Sequence, residues 1–333
     1  MQMHGGVSER VIKTAMRATR TPVDAETDSQ SLGLLETLVG PWREASVTTD
    51  HSPTVRRRRL GIELRRLREA VNLTIEDVGK HLECSGSKVS RIETGKGMLR
   101  HRDVRDMLDL YGVTDEAQRD FLFTIAKEGQ QKGWWTDFED VLPAGFDIYV
   151  GLEAEAASLR DYHTHLVHGL LQTEDYARTL LRAMRLGDDP DDVERLVTLR
   201  MRRQPILRRE GQPLDLWAVL DEAVLRRPIG GPTVMREQLR RLIEICELPN
   251  VTLQVLPFGQ CAHAGLSGPF TVIEFPEPTD TNVVYVDGPA GSIYLEKPAD
   301  VRRYRLRFDH LRAAALPTED SVRFIDAVSK ELT

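Results

Sequence analysis

Between Leu73 and Lys96 the chain reads LTIEDVGKHLECSGSKVSRIETGK, and no other stretch restricts the possible fold as tightly. Ile75, Val78 and Leu82 recur at helical spacing behind Thr74, a residue suited to cap a helix; Val89 and Ile92 do the same behind Ser85. Glu83-Cys84-Ser85 leaves room only for a tight polar turn between the two. Helices this short do not persist alone, so they must cross steeply and bury Val78, Leu82, Val89 and Ile92. The other side of the second helix carries Ser87, Ser90, Arg91 and Thr94 at i, i+3, i+4 and i+7, a single stripe with nothing apolar in it.

Such a stripe suits the major groove of duplex DNA, where small or hydrogen-bonding residues let the backbone come close. Ser85, at the helix N-terminus, has the hydroxyl and free N–H groups to meet a phosphate. Gly86 removes a side chain at the point of closest contact. Ser87, Lys88 and Arg91 are placed for base edges, with Arg91 able to fork onto guanine O6 and N7. Thr94, Lys96 and the first-helix arginines, Arg68 among them, suit phosphate contacts, and Thr74 at its cap completes the candidate set. A serine-rich basic helix face is by itself ordinary solvated surface, so the charge distribution is what decides. The chain carries a net charge of −7, yet residues 55–112 hold 14 Lys+Arg against 9 Asp+Glu, leaving −12 for the remainder.

Around this segment the chain divides into three. Residues 1–51 are polar apart from Leu32 to Trp42 and read as a disordered extension. Ser52-Pro53 announces a helix, and residues 52–130 read as an all-α domain of five helices. Leu60, Leu64, Leu67 and Val71 mark the first; Val104, Leu108 and Tyr111 mark the fourth; Thr114 caps a fifth that buries Phe121, Leu122 and Ile125. Residues 131–333 read as an α+β domain with a small, mainly antiparallel sheet. Helical text predominates from Glu153 to Met235 and on to Leu248. Strands are expected at Leu214–Leu220, Val251–Leu256, Phe270–Phe275, Val283–Val286 and Ile293–Leu295, the last three as a meander. Two helices should close the chain, Ala299 to Ala315 and one capped by Thr318. With 41% hydrophobic residues each domain has material for its own core, and no apolar run approaches the ~18 residues of a membrane span. A cytoplasmic protein is expected. Cys84, Cys246 and Cys261 have neither disulfide-framework nor zinc-knuckle spacing.

The segment closely resembles the lambda-repressor-like, or XRE-type, helix-turn-helix, whose motif ends as Ser90-Arg91-Ile92-Glu93-Thr94-Gly95-Lys96 does here. The resemblance implies a pairing of Glu93 with a first-helix arginine, Arg68. Two positions depart from the pattern: Glu83 where the turn usually has glycine, and Gly79 where the second helix usually has alanine. Beyond it, Lys132-Gly133-Trp134-Trp135, GLEAEAASLRDY (151–162), GLLQTEDYAR (169–178), LDEAVLRRPIGGPTVMREQL (220–239), NVTLQVLPFG (250–259) and HAGLSGPFTVIEFP (263–276) look like the actinobacterial antitoxin-like XRE regulators. That resemblance implies a small protein partner encoded by the adjacent gene and a C-terminal domain without assigned chemistry.

No motif for catalysis or for a cofactor stands out. His163, His165 and His168 form an HTHxxH run, but the spacing does not bring all three to one helical face, so it reads as polar surface and no metal is expected. Glu153 and Glu155, two apart on a helix, point to different sides. Cys261 and His263 lie among glycines that read as loop. Trp134, Trp135, Phe138, Phe146 and Tyr149 are expected to pack the two domains together, and the arginines from Arg195 to Arg209 to form a solvated rim. The leading expectation is therefore a non-enzymatic regulator that binds a pseudo-palindromic operator as a homodimer, controlled through its C-terminal domain by a small partner or ligand. The runner-up is an antitoxin-like module that neutralises a small partner and binds DNA mainly for autoregulation.

Overall fold

In a computed structural model of the 333-residue chain, residues 55–95, 97, 99–130, 133–276, 281–288 and 291–332 are described. The expected extension over residues 1–51, the Ser52-Pro53 cap and Lys96 lie outside them.

The first described segment forms five helices, α1 (Val55–Ala70), α2 (Ile75–His81), α3 (Gly86–Glu93), α4 (His101–Leu110) and α5 (Glu116–Gly129). Leu60, Leu64, Val78, Val89, Ile92, Val104, Met107, Leu108, Leu122 and Ile125 bury one shared core. Asp115, rather than Thr114, caps α5, accepting the Ala117 N–H at 3.0 Å. Phe121 stays exposed beneath the Arg59 guanidinium, 4.9 Å from its ring centre.

After a 3-10 turn at Trp134–Phe138 come α6 (Phe146–Glu155), β1 (Ser158–His163), α7 (Glu174–Met184), α8 (Pro190–Arg203), β2 (Asp215–Asp221), α9 (Glu222–Arg226), α10 (Gly231–Ile245) and β3 (Val251–Leu256). The strands β4 (Phe270–Glu274), β5 (Val283–Val286) and β6 (Ile293–Leu295) follow, then α11 (Pro298–Ala314) and α12 (Thr318–Glu331), with Pro317 and not Thr318 at the cap position. The sheet order is β3-β2-β1-β4-β5-β6. Both β1–β2 and β2–β3 pair in parallel, while β4, β5 and β6 form the expected antiparallel meander beside β1. The sheet is thus mixed and six-stranded, not small and mainly antiparallel. The difference comes from β1: its sequence SLRDYH carries four charged or titratable residues and follows helical text, so it hides as helix. Helices α7 to α10 supply the crossovers that parallel pairs require.

Alternation along each strand separates two faces. Leu159, Leu216, Ala218, Leu253, Val255, Ile273 and Val283 pack with α6, α7, α10 and α12 on one side. Tyr162, Val219, Phe270, Val272 and Val284 pack with Val301, Phe308 and Leu311 of α11 on the other. Trp134, Trp135 and Phe138 do not bridge the two domains. They pack on Leu181, Val193, Leu196 and Leu199 of α7 and α8, inside the C-terminal domain, with the Arg202 guanidinium 4.8 Å over the Trp134 ring.

The contact between the helical segment and the sheet domain is made by the arginines that open α1. Val55 joins the sheet domain's main core. Arg56 lies 2.9 Å from Glu128 and 3.1 Å from Glu155, and the buried Arg58 stands 2.9 Å from Glu296, which directly follows β6. Burial lowers the Arg57 pKa, a trend that the nearby Asp147 and Glu155 oppose. Part of the positive charge in residues 55–112 therefore faces inward onto acidic groups rather than outward to a polyanion.

Candidate nucleic-acid interface

The seat of α3 is built from local chemistry. At the start of α2, Thr74 Oγ1 accepts the Asp77 N–H at 3.1 Å and Asp77 Oδ2 accepts the Thr74 N–H at 3.0 Å, a capping box that fixes where α2 begins. A Cβ on Gly79 would lie 2.9 Å from the Cys84 carbonyl oxygen, so glycine here lets α2 touch the turn, which offsets its poor helix propensity. Glu83 turns the chain with φ +54°, the left-handed conformation that the usual glycine adopts without cost. Ser85 then caps α3, accepting the Lys88 N–H at 3.3 Å.

The inner face of α3, Val89, Ile92 and Glu93, is buried. Arg68 donates to both Glu93 oxygens, at 2.6 and 2.9 Å, and to the Leu73 carbonyl at 2.7 Å. The pairing implied by the family resemblance is present, and the hydrogen bond to Glu93 raises the Arg68 pKa further. With its guanidinium turned inward, Arg68 positions the recognition helix from beneath, away from the proposed phosphate contacts. Gly61 was not singled out from the sequence, yet its absent side chain is what seats α3: a Cβ there would lie 2.5 Å from the Glu93 carbonyl oxygen and 2.7 Å from that of Ile92. A glycine in an otherwise leucine- and arginine-rich helix was the available signal.

The stripe on the outer side stands clear of the core. Ser87, Lys88, Arg91 and Thr94 are exposed and Ser90 is half-buried, so the face keeps its polar character to solvent. Ser85 and Ser87 share a hydroxyl hydrogen bond at 2.9 Å, which orients both groups at the N-terminal end of α3 beside the half-buried Gly86. The Thr94 hydroxyl donates back to the Ser90 carbonyl at 2.8 Å and leaves its oxygen lone pairs outward. Lys88 Nζ lies 3.4 Å from Asp103, a loose pair that a phosphate or base could displace. The Arg91 guanidinium has no hydrogen bond or ion pair to another described residue, its backbone carbonyl accepting from the Gly97 N–H at 2.9 Å and the Thr94 hydroxyl at 3.3 Å, which leaves its planar fork available.

Elsewhere the polar residues are turned inward. The supposed solvated rim on α8 is partly structural: Arg203 forms a buried two-point pair with Glu153 at 2.7 Å each, and Arg195 a similar surface pair with Asp140. Glu153 and Glu155 do point apart, one to Arg203 and the other to Arg56. The HTHxxH run is not on a helix. His163 ends β1, His165 is exposed, and His168 is buried with Nε2 3.0 Å from the Tyr149 hydroxyl. Burial lowers the His168 pKa, so its ring is neutral at pH 7, and burial pushes the Tyr149 phenol well up. Reading His168 as incidental surface is therefore corrected, because the strand and the loop after it fold the run inward. Cys261 is exposed in the long connection between β3 and β4, in keeping with the loop reading.

A capped helix pair with a buried inner face and a polar outer stripe defines the helix-turn-helix class of DNA-binding regulators. Consistent with this, residues 59–122 match a family described as a helix-turn-helix domain. Residues 146–327, more than half of the chain, match a family described as a domain of unknown function, DUF5753, and the protein belongs to that family. No curated protein and no solved structure matches the chain. Among the described residues no helix is long and apolar enough to cross a membrane.

Proposed function

We propose that the protein is a sequence-specific transcriptional regulator that inserts α3 into the major groove of its operator. The observation that carries this is the division of α3 into a buried inner face and an exposed stripe of Ser87, Lys88, Arg91 and Thr94. Arg91, in the last turn of α3, reads guanine; Ser87 and Lys88 read neighbouring base edges; Ser85, Thr94 and Lys96 meet phosphates. One such domain makes few base contacts, so the reading includes a homodimer on a pseudo-palindromic site, with half-sites about 10 base pairs apart. On this reading the chain is not an enzyme and acts in the cytoplasm, on the nucleoid.

The C-terminal domain takes the role of control. Support comes from the junction: α1, which underlies α3 through Gly61 and Arg68, is also the helix bound to the sheet domain through Arg56 and Arg58. A ligand or a small protein from the adjacent gene that shifts the sheet domain thereby reaches the seat of α3. Membership of the actinobacterial antitoxin-like group belongs to the same proposal and rests on the sequence runs quoted above. Gel shift on the protein's own promoter tests the reading. Wild type should bind that duplex in preference to a scrambled one, and Arg91→Ala should lose the preference by ~10-fold or more, in line with about 1–3 kcal/mol for a bidentate arginine–guanine pair. Equal binding of both duplexes by wild type would overturn it.

A further inference from the structure

The inner face of β1 carries a polar cluster that DNA reading leaves unused. Asp161 and His163 are two residues apart on the strand and so project from the same face, toward α6. His168 returns to them after the loop that follows, and each of the three offers one ligand atom within 4.8 Å of the others. Asp161 is fully buried. Its Oδ1 accepts the Thr271 hydroxyl at 2.6 Å, from the residue opposite on β4. Its Oδ2 is also buried and has no hydrogen-bond partner, while His163 Nε2 stands 3.3 Å away without hydrogen-bond alignment. A buried carboxylate oxygen left in this state is costly unless something completes it.

We propose that Asp161, His163 and His168 form a binding site for a divalent transition-metal ion of zinc's class. Two imidazole nitrogens and one carboxylate oxygen are a donor set for zinc or its neighbours, whereas calcium and magnesium require mostly oxygen. Ligands about 2.0–2.1 Å from a tetrahedral ion lie about 3.3 Å from one another. Asp161 Oδ2 and His163 Nε2 already have that spacing, and a small ring movement of His168 closes the remainder. The His168 ring is held between the Tyr149 hydroxyl at 3.0 Å and the Leu170 N–H at 3.3 Å. The ion takes the Nδ1 lone pair in place of the Leu170 N–H, and the Nε2–H, donating to the Tyr149 hydroxyl, keeps the ring oriented, as outer-shell partners of metal-bound histidines do. His163 is partly exposed and gives the ion its way in, with water filling the fourth position.

The test uses the full chain, stripped with a chelator and titrated with Co²⁺, then competed with Zn²⁺. Wild type should take up one equivalent, showing visible d–d absorption without a thiolate charge-transfer band. His163→Ala, at the accessible end of the strand, and Asp161→Asn, which keeps the acceptor for Thr271, should each weaken binding by ~100-fold or more. His165→Ala, whose exposed ring is hydrogen-bonded to Thr164 at 2.6 Å, should bind as wild type does. The far-ultraviolet dichroism of each variant verifies folding, and His163→Ala alone suffices if Asp161→Asn fails to fold. Absence of uptake by wild type, or equal uptake by wild type and His163→Ala, would overturn the proposal. Because the readout needs no DNA, its outcome is independent of the operator-binding reading.

Discussion

Substituting Gly61 by alanine adds one methyl group at the point where α1 meets the end of α3. The new carbon would lie 2.5 Å from the Glu93 carbonyl oxygen, 2.7 Å from the Ile92 oxygen and 2.8 Å from the Glu93 carbonyl carbon. All three are backbone atoms, so no side chain can swing aside. Restoring ordinary contact at about 3.5 Å requires the two helices to part by about 1 Å. Overpacking of this kind costs about 1–3 kcal/mol, and helix-to-helix backbone contact belongs at the upper end. Alanine returns about 1 kcal/mol through its better helix propensity. The net expectation is a loss of about 2 kcal/mol, read as a lower urea midpoint in the unfolding of the helical segment. Operator affinity should fall as well, because the displaced helix is the one that carries Arg91. If Gly61→Ala proved as stable as wild type and bound operator equally, the close seating of α3 on α1 would be wrong.

Four further outcomes follow from the geometry. Glu83→Gly should stabilise by about 0.5–1 kcal/mol in chemical denaturation, since glycine adopts the φ of +54° without the strain a side chain brings; a loss of stability would mean that this turn is not left-handed. Arg203→Ala should cost about 3–5 kcal/mol by stranding the buried Glu153 carboxylate, whereas Arg203→Met with Glu153→Leu should recover most of it in a double-mutant cycle. His168 has its pKa lowered below the ordinary 6.5 by burial, against the pull of Asp161 and Glu153 and with opposing charge from His163 and Arg203. The unfolded chain therefore takes up the proton first as pH falls; the contribution is complete above about pH 6.5 and declines below it by at most about 1.4 kcal/mol per pH unit, so wild type minus His168→Gln should show this slope between pH 7 and 5.5 and a flat difference would contradict it. Glu296→Ala should leave Arg58 buried without its counter-ion and weaken the junction, seen as faster amide exchange in α1 while the sheet core is unchanged.

What could be read in advance was what local pattern dictates. Thr74, Ser85, Val78, Val89 and Ile92 announced α2 and α3 because caps and helical periodicity are properties of a few adjacent residues. Strands β3, β5 and β6 were legible to the residue because branched and aromatic side chains sit between turn formers. The strand β1 was not, because Asp161 becomes tolerable in a sheet only through Thr271, 110 residues further on. Losing β1 also hid the parallel half of the sheet and made the histidine run look like helix surface. The basic run Arg56 to Arg59 misled for the same reason. Its acidic partners Glu128, Glu155 and Glu296 are distant in sequence, so charge counting assigned to DNA what the fold uses in part at the domain junction. Gly61 and Gly79 were present in the text, but the need for them depends on backbone atoms of α3 and the turn, which periodicity does not locate.

Selection of bound duplexes from a random pool bears most directly on whether α3 reads sequence. With wild-type protein the pool should converge on two inverted half-sites about 10 base pairs apart, each with a guanine that Arg91 contacts. With Arg91→Ala the same half-sites should lose that guanine while the flanking positions persist. A wild-type pool that stayed random, or one whose motif was unchanged by Arg91→Ala, would contradict the account.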